Sequence, residues 1–545
     1  MKVDTGKLRR ANPYPFSYIG MTILAIDNQF IMKMRKLIWI SLALLCMASC
    51  HKNPKPTPAP TPTDDKIPVH KEGEPYDTYR GLVMAGYQGW FGTPDDGSML
   101  TKKANTGWYH YRESEQFRPG VRRNSIDFWP DMREYEKKYV VGEEKSNANS
   151  SPFIMPDGSH ATLFSSYDES TVMLHFKWMK DYGIDGVWMQ RFLSELGGPN
   201  NKAHFDMVLQ HAMKASNRYE RAIAVMYDMS GFTTTSSLRA IVSDARNLMQ
   251  KYTLTDRTKQ KFYLHENGKP MIALWGIGFN DNSHPRPTAV EEIINLLKAQ
   301  GWSVFLGVPT YWRDGGGDCV SGEEHAKLLE LLNSSDGFFP WYTGRYDCTS
   351  YRSSGWQAHI QADIKAGKKM STEDHTVAYA VHAFPGFSWR NMDPNYNLKT
   401  NDGTGDRDGG KFFWNQLYWA MKYGAESFYI GMFDEIDEGT AIFKLLNVKD
   451  VPSNVPYKVG NVPTSYDYVS DDDYWVTYKT NGSYTMSDSQ GTGGDVRWSK
   501  KASELNVRFQ GIDNDKDTDW YLFLTGEAGK MLRGEKPMSA MLPSR

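Results

Sequence analysis

Excess charge of either sign is missing from this 545-residue sequence, which has 63 Lys and Arg and 65 Asp and Glu. A chain without a positive excess offers no polycationic surface for nucleic acid. Histidine metal motifs of the H-E-x-x-H type and cysteine clusters are also missing. No glycine-rich phosphate loop is present, since Gly315-Gly-Gly317 is not followed by Lys and Ser or Thr. We therefore expect no nucleic-acid partner, no metal site of these types and no cofactor.

Cysteine is scarce, with four residues in the whole chain. Cys46 and Cys50 lie near the N-terminus, which leaves Cys319 and Cys348 for the rest of the protein. In an oxidising compartment these two could pair, and closing a loop of that length is worth about 3–4 kcal/mol. Two separate structural thiols are the alternative, and the sequence leaves both open.

Long apolar runs are missing after residue 50, so no later segment is expected to cross a membrane. Before it, the basic stretch Met32–Lys36 precedes the apolar run Leu37–Leu45, and Met47–Cys50 has the pattern of a lipobox. This order predicts a bacterial secretory signal that is cleaved before a lipidated Cys50. Residues 1–31 are then a misassigned start. We expect a lipoprotein of the bacterial cell envelope, anchored in the outer membrane and facing the periplasm or the exterior.

Proline, threonine and charge dominate residues 51–75, which predicts a stiff tether with nothing to bury. From residue 76 to 545 we find no second linker and no internal repeat, and we expect one monomeric domain. The stretch 456–515 is either a loop-and-strand excursion from that domain or a small β-rich module. A final helix is predicted over 520–532.

Strand-like and helix-like segments alternate regularly through this domain, and Ser321–Glu324 has the spacing of a capping box that opens one of the helices. Regular alternation predicts a parallel sheet with crossover helices, and eight strands predict a closed (β/α)₈ barrel with long insertions at the strand ends. The predicted strands are Leu82–Gln88, Asp185–Gln190, Ala222–Tyr227, Met271–Trp275, Trp302–Gly307, Gly337–Trp341, Thr376–Val381 and Ser427–Met432.

The last predicted strand runs directly into four carboxylates within five residues, Asp434, Glu435, Asp437 and Glu438. The carboxyl ends of barrel strands carry the chemistry of this fold. Neighbouring like charges raise one another's pKa, and so they are costly unless they have a function. Catalysis, a Ca²⁺ site and a solvated loop are the three interpretations. The EF-hand spacing is absent, which favours catalysis.

Aromatic and planar polar residues recur where the predicted strands end. Apolar ring faces accept the C–H faces of a pyranose, and bidentate groups bind its hydroxyls. For any single residue, packing of the barrel is the better explanation, but the recurrence at the strand ends predicts a carbohydrate site. The predicted substrate-binding set is Tyr87, Trp90, Arg191, Asp228, Trp275, Trp312, Arg313, Trp341, Arg345, Trp389, Arg390, Asp434 and Asp437, with Gln88 and Gln190 beside it.

Two aromatic and acidic stretches, Trp108–Tyr111 and Asp127–Asp131, lie in the long insertion after the first strand. They either form a wall of the cleft or pack on themselves at the surface. No G-x-S-x-G elbow surrounds Ser388, so a serine nucleophile is not indicated.

Phe433-Asp-Glu-Ile-Asp-Glu-Gly-Thr440 resembles the Glu-x-x-Glu-Gly-Thr motif of glycoside hydrolase family 99, the endo-α-mannosidases and endo-α-mannanases, and of its family 71 relatives. Tyr182–Trp188, Gly268–Trp275 and Phe384–Trp389 support the alignment. The resemblance covers about Gly81 to Lys444, and similar barrels occur as lipoproteins in Bacteroides-type bacteria.

This resemblance implies hydrolysis of α-glycosides with retention, in which the substrate's own 2-hydroxyl is the nucleophile. Glu435 would be the base that deprotonates this hydroxyl, and Glu438 the acid that protonates the leaving oxygen. Such chemistry needs one ionised and one protonated carboxyl. The family has Trp-His between the two glutamates where this chain has Ile436 and Asp437, so the implied preference for mannose does not follow from the motif. The rival hypothesis is a surface glycan-binding lipoprotein without catalysis.

Overall fold

Eight parallel strands form the wall of a barrel in the computed structural model. The structure describes residues 67–102, 107–112, 117, 125–141, 153–392, 398–399, 402–452 and 509–545, together with the backbone of short strands between residues 458 and 497. The signal, the lipobox and most of the predicted tether lie outside the described residues.

The barrel strands follow one another in chain order around the ring. They are β1 (Val83–Tyr87), β2 (Gly186–Phe192), β3 (Ala222–Asp228), β4 (Lys269–Trp275), β5 (Ser303–Val308), β6 (Gly337–Pro340), β7 (Ala378–Tyr379 and Val381–Ala383) and β8 (Phe428–Ile430). Strand β1 pairs with both β2 and β8. Strand β7 is split at Ala380, and its first part pairs with β6 while its second part pairs with β8. This split strand completes the ring, and the predicted (β/α)₈ barrel is confirmed.

Eight helices of more than ten residues accompany the strands within the described part of the chain. They are α1 (Glu169–Tyr182), α2 (Pro199–Tyr219), α3 (Thr235–Lys251), α4 (Pro287–Ala299), α5 (Gly322–Ser334), α6 (Trp356–Lys368), α7 (Lys411–Lys422) and α8 (Trp520–Leu532). The predicted capping box of α5 is wrong. The Ser321 side chain makes no cap hydrogen bond. The Glu324 carboxylate instead accepts from the amide and hydroxyl of Thr288 on α4.

The barrel interior is filled by a continuous aromatic stack. The Trp188 ring lies 5.1 Å from Phe305, which lies 5.9 Å from Phe339, which stacks on Tyr429 at 4.1 Å. Because side chains alternate across a strand, residues at even spacing from these four face inward and their neighbours face the helices. The stack therefore shows which face each strand presents to the interior.

Two of the predicted substrate-binding residues, Tyr87 and Arg191, are on the helix-facing side of the barrel wall, which corrects their expected role. The Tyr87 hydroxyl hydrogen-bonds Nδ1 of His175 on α1 at 2.8 Å. The Arg191 guanidinium binds Asp244 of α3 and Asp206 of α2, and its side chain is 2% exposed. Their inward-facing neighbours are Gln88 and Gln190.

Trp312 and Arg313 are also outside the barrel and are corrected in the same way. The buried Trp312 ring packs at 4.8 Å against Phe338, whose side chain points towards the helices. Arg313 donates to the fully buried Asp363 of α6 at 2.6 Å. Arg313 thus joins the loop after β5 to α6, whereas Trp312 packs against β6 and β7.

The long first insertion packs against the C-terminal part of the chain. Phe128 forms a β-bridge with Gln510, and Pro130 forms one with Leu445. Asp127–Asp131 is therefore buried between segments, and the alternative of a self-packed surface loop is wrong for it. Short antiparallel strands lie within 456–515, among them Trp475–Tyr478 paired with Tyr484–Ser487. Their side chains are outside the described residues.

The two cysteines of the barrel, Cys319 and Cys348, are free thiols. Of the two alternatives for this pair, the structure shows separate thiols. No helix in the described part of the chain has the length and apolarity needed to span a bilayer.

Arg191→Ala is expected to lower the free energy of unfolding by about 3–5 kcal/mol, because it leaves the buried Asp244 carboxylate without its main partner. Urea denaturation measures the loss. Lys177→Ala is the control, since its partner Asp181 is exposed and a surface pair is worth about 0–1 kcal/mol. Equal losses in the two variants would contradict a structural role for Arg191.

Candidate active site

The loop that carries Asp434, Glu435, Asp437 and Glu438, called the acidic loop below, follows β8 at the carboxyl end of the barrel strands. Its chain turns back sharply, because the Glu435 carbonyl accepts from the amides of Thr440 at 3.1 Å and Ala441 at 2.9 Å. A tight turn of this kind keeps the four carboxylates close to one another at the mouth of the barrel.

Asp434 joins the loop to the turn after β1. Its Oδ1 accepts from the Gln88 amide at 2.8 Å, and its Oδ2 accepts from the Gly89 amide at 2.9 Å. The side chain is fully buried, and burial raises its pKa to about 7 against the opposing effect of these two donors. Both oxygens are occupied by protein donors, so Asp434 holds the loop in place.

Glu435 is buried and hydrogen-bonded through both carboxylate oxygens. Gln88 Nε2 donates to Oε1 at 2.9 Å, and Thr440 Oγ1 donates to Oε2 at 2.8 Å. Burial and the charges of Glu438 and Asp437 raise its pKa well above the ordinary value, whereas the two donors favour the ionised form. This carboxyl is thus strongly coupled to its neighbours and rigidly oriented.

Glu438 is the most exposed of the four carboxylates, with an accessibility between buried and exposed. Burial and the Asp437 charge raise its pKa to about 8, and the nearby Trp389 side chain acts in the opposite direction. A carboxyl with this pKa is largely protonated at neutral pH while part of its surface remains open to solvent.

Asp437 meets a histidine from the first insertion. Its Oδ2 lies 3.5 Å from Nδ1 of His110. The His110 ring stacks on Trp90 at 3.9 Å, and Trp90 stacks on Phe192 of β2 at 5.3 Å. His110 has a φ of 60°, a conformation that few non-glycine residues adopt. The insertion is thereby tied to the acidic loop through an aromatic layer.

Tyr429 of β8 forms the polar floor beneath this loop. Gln190 Nε2 donates to its hydroxyl at 3.3 Å. Burial raises the Tyr429 pKa, and the charges of Glu435 and Asp228 raise it further. Asp228 faces inward from the end of β3 and accepts from the Ser230 amide at 2.8 Å. The predicted Asp228 therefore lies on the same interior surface as the catalytic candidates.

Two tryptophans line the opposite side of the barrel mouth. Trp275 and Trp341 meet edge to face at 5.1 Å, and Trp341 lies 4.6 Å from His382. Arg345 stands in the loop after β6 and pairs with Asp318 at 3.2 Å. Trp389 and Arg390 follow β7 and approach Glu438 and Asp127 respectively.

The structure thus brings most of the predicted set to the carboxyl end of the barrel and leaves four of its members elsewhere. The residues at this end are Trp90, Asp228, Trp275, Trp341, Arg345, Trp389, Arg390, Asp434, Glu435, Asp437 and Glu438. Those in the layer between strands and helices are Tyr87, Arg191, Trp312 and Arg313.

Several residues around the carboxylates had no individual role in the sequence prediction. Glu195 follows β2 and is 6% exposed, and burial raises its pKa well above the ordinary value. Thr440 lies within the acidic motif itself, so its position in the sequence could have indicated a hydrogen bond to Glu435. Glu195 offered no such signal, because its approach to Asp228 depends on the pairing of β2 with β3.

Among the described residues, no group of three or more His, Cys, Asp or Glu has an arrangement that could hold a metal ion. Backbone and side-chain donors bind the oxygens of Asp434 and Glu435.

The fold and the site define a (β/α)₈ barrel with a buried carboxylate cluster after its last strand. Its overall structure is similar to that of a GH99 endo-α-mannosidase from Bacteroides thetaiotaomicron. Two structures of that enzyme, one in complex with BIS-TRIS-propane, match with 12% identity and TM-scores of 0.47 and 0.45. Each match covers 84% of this chain and 99% of the other.

A family 39 glycoside hydrolase from Bacteroides cellulosilyticus matches half of the chain, with 11% identity and a TM-score of 0.31. No protein-family model matches the chain, and no curated protein sequence does. Family 99 is also the family whose acidic motif this sequence resembles. Likeness at such low identity concerns the fold alone, so function has to be argued from the side chains.

Glu438→Gln is expected to stabilise the protein at alkaline pH. A carboxyl whose pKa rises on folding contributes stability below its unfolded value, and this contribution is lost as pH rises through the folded value of about 8. Glutamine imitates the protonated form. The variant should therefore match the wild type near pH 4 and exceed it by about 1–4 kcal/mol at pH 9 in urea denaturation.

Glu426→Gln is the matched control, two residues before β8. Glu426 pairs with Arg80 at 2.7 Å and Lys368 at 2.6 Å, which together lower its pKa. Its loss should cost stability at neutral pH, and the difference should fade as pH falls through that lowered pKa. A Glu438→Gln protein less stable than the wild type at pH 9 would show that the fold favours the charged form.

Proposed function

We propose that this protein is a glycoside hydrolase that cleaves α-linked glycans, with α-mannosides as the substrate class. The observation that carries the proposal is the pair Glu435 and Glu438. They stand three residues apart on one tight loop at the carboxyl end of the barrel, and their surroundings differ. Acid–base hydrolysis of a glycosidic bond requires two such carboxyls in different protonation states.

The hydrogen bonds around this pair support a division of roles between its two members. Because the two groups are coupled, they titrate together and share their protons. Glu435 accepts hydrogen bonds on both oxygens, which an ionised carboxylate does best. Burial raises the pKa of both carboxyls, so the direction of the shift does not distinguish them. Glu438 is more open to solvent. The two hydrogen bonds on Glu435 and the resemblance of the motif support Glu435 as the base and Glu438 as the acid.

The resemblance of the acidic motif to that of family 99 supports a mechanism that retains the configuration of the anomeric carbon. Glu435 takes the proton of the substrate's 2-hydroxyl while the oxygen attacks the anomeric carbon, and Glu438 protonates the departing oxygen. A 1,2-anhydro sugar results. Glu438, now ionised, then deprotonates the water that opens this intermediate, and the proton on Glu435 returns to O2. Each carboxyl is back in its starting state after one cycle.

The aromatic residues around the carboxylates support a sugar substrate. Trp90 faces the acidic loop with His110 on its ring, and Trp275 and Trp341 lie across the barrel mouth. Tryptophan faces suit the C–H faces of pyranose rings, and Asp437 and Asp228 are placed to accept from hydroxyls. A glycan-binding lipoprotein would need this aromatic surface too. It would not need carboxyls whose burial costs stability.

The experiment is incubation of the purified protein with α-mannans and host N-glycans, followed by measurement of new reducing ends. Glu438→Gln should lose about 10²–10⁴-fold in activity on natural glycosides, because protonation of the leaving group is lost. It should keep far more activity on fluoride or aryl glycosides, which leave without a proton. Glu435→Gln should be slow on both kinds, because every substrate needs the 2-hydroxyl to be activated.

Asp437→Asn is the control in the same loop, and it should weaken binding more than it changes the chemical step. Binding without new reducing ends across the whole panel would favour the non-catalytic alternative. Normal turnover of a 2-deoxy glycoside would exclude participation of the 2-hydroxyl. A direct carboxylate nucleophile would then be required, and Asp228 would be the next candidate, because both oxygens of Asp434 are bound by backbone amides.

We further propose that the protein is anchored in the outer membrane of a bacterial cell through a lipid on Cys50. The support is the order of basic, apolar and lipobox residues before Cys50 and the Pro-rich stretch after it. This arrangement would place a hydrolase at the end of a tether, where it meets polysaccharide outside the cytoplasm.

Cys50→Ala is expected to release the protein from the membrane fraction, because acyl chains dominate the anchoring of an otherwise water-soluble domain. Partition into Triton X-114 and immunoblotting of cell fractions measure this change. Cys46→Ala is the matched control, since Cys46 lies in the cleaved signal. Membrane association that persists in Cys50→Ala would contradict the lipobox assignment.

A further inference from the structure

Asp127 is a fully buried carboxylate outside the acidic loop, and its side-chain hydrogen-bond partners among the described residues lie in the loop after β7. Its Oδ2 accepts from the Ser388 hydroxyl and from the Arg390 amide at 2.7 Å, and its Oδ1 accepts from the Asn391 amide at 2.6 Å. Burial raises its pKa to about 7, while these three donors favour its charged form. A residue of the first insertion thereby fixes the path of residues 388–391.

The backbone around Asp127 binds the acidic loop as well. The Asp127 amide donates to the Ile436 carbonyl at 2.9 Å, and the Phe128 amide donates to the same oxygen at 3.3 Å. The Ser388 amide donates to the Glu438 carbonyl at 2.9 Å. The peptide between Glu435 and Glu438 is therefore held from two sides, by the insertion and by the loop that Asp127 fixes.

Trp389 lies between two residues that Asp127 binds, Ser388 and Arg390. Its indole approaches the Glu438 carboxyl and favours the charged form of that group. The orientation of that indole follows from the backbone on either side of it, because Asp127 contacts both neighbouring residues. A continuous chain of contacts thus runs from Asp127 through Trp389 to Glu438.

We propose that Asp127 is a positioning residue for the reaction, which holds Glu438 and Trp389 in the geometry needed to protonate the leaving group. Asp127 does not touch substrate and exchanges no proton with it. The proposal rests on the proposed hydrolase function, since it assigns Asp127 to the acid of that reaction.

An amide cannot replace this carboxylate, although it has the same shape. The two oxygens of Asp127 face N–H donors on both sides, from Arg390 and from Asn391. Asparagine would have to direct its own NH₂ group at one of these donors. Asp127→Asn therefore breaks the link while it changes the volume of the side chain very little.

Asp127→Asn should lower kcat by about 10²-fold with little change in KM, because misplacement of a catalytic group by about 1 Å costs that much. The loss should be large for natural glycosides and small for fluoride glycosides, as for Glu438→Gln. In hydrogen–deuterium exchange, peptides that cover 387–391 and 435–440 should exchange faster than in the wild type. The exchange measurement needs no substrate.

Asp131→Asn is the matched control in the same insertion, where the Asp131 carboxylate binds Arg133 and Thr518 and does not contact the loop after β7. It should leave both kinetics and exchange at 387–391 unchanged. Should Asp127→Asn fail to fold, Ser388→Ala removes one of the three hydrogen bonds and should show the same dependence on the leaving group to a smaller degree.

Equal losses on natural and fluoride glycosides would overturn the positioning role, and so would unchanged exchange at 387–391 and 435–440. If the wild-type protein cleaves nothing in the glycan panel, the hydrolase function fails. In that case hydrogen–deuterium exchange alone tests whether Asp127 holds the two loops: faster exchange in Asp127→Asn supports the link, and unchanged exchange contradicts it.

Discussion

Burial of negative charge at the end of β8 is the constraint on which the rest of this structure depends. Three of the carboxylates in the loop are at most 3% exposed, and each would be costly without donors or protons. The surrounding elements supply those donors. The turn after β1 gives backbone amides to Asp434 and the Gln88 side chain to Glu435, and the loop's own return gives Thr440. Strand pairing of β1 with β8 brings these groups together, so the closed barrel is a precondition of the site.

Regular alternation in the sequence predicted the barrel correctly because it reports local properties: apolar strand segments, helical spacing and the turns between them. The side on which each strand-end residue lies is a different kind of information. A shift of one residue moves a side chain from the interior to the helix layer. Tyr87 and Arg191 stand one position from Gln88 and Gln190, and charge or aromaticity alone does not distinguish the two faces. Gly86 is the residue of β1 that indicates the inward face, because a Cβ at this position would lie 2.2–2.4 Å from Met432 and the Tyr429 hydroxyl.

Contacts between segments far apart in the chain could not be predicted from the sequence. Asp127 and Ser388 are 261 positions apart. His110 lies in the insertion after the first strand, whereas Asp437 follows the last strand. Neither contact has a local pattern, because each depends on where a long insertion settles over a completed barrel. The acidic motif, by contrast, is short and continuous, and it could be identified from its residue types and spacing.

The pair of Asp437 and His110 bears on how catalysis and recognition are divided in this site. Asp437 occupies the position between the two glutamates where the motif it resembles has histidine, and here a histidine arrives from the first insertion instead. The proposed base and acid keep their spacing and their own neighbours, Gln88 and Thr440 for Glu435 and Trp389 for Glu438. His110 and Trp90 are not among these neighbours, so the aromatic layer of the first insertion can differ in shape without loss of the hydrogen bonds that orient Glu435. For the proposed hydrolase, we therefore expect the first insertion to contribute to the choice of sugar.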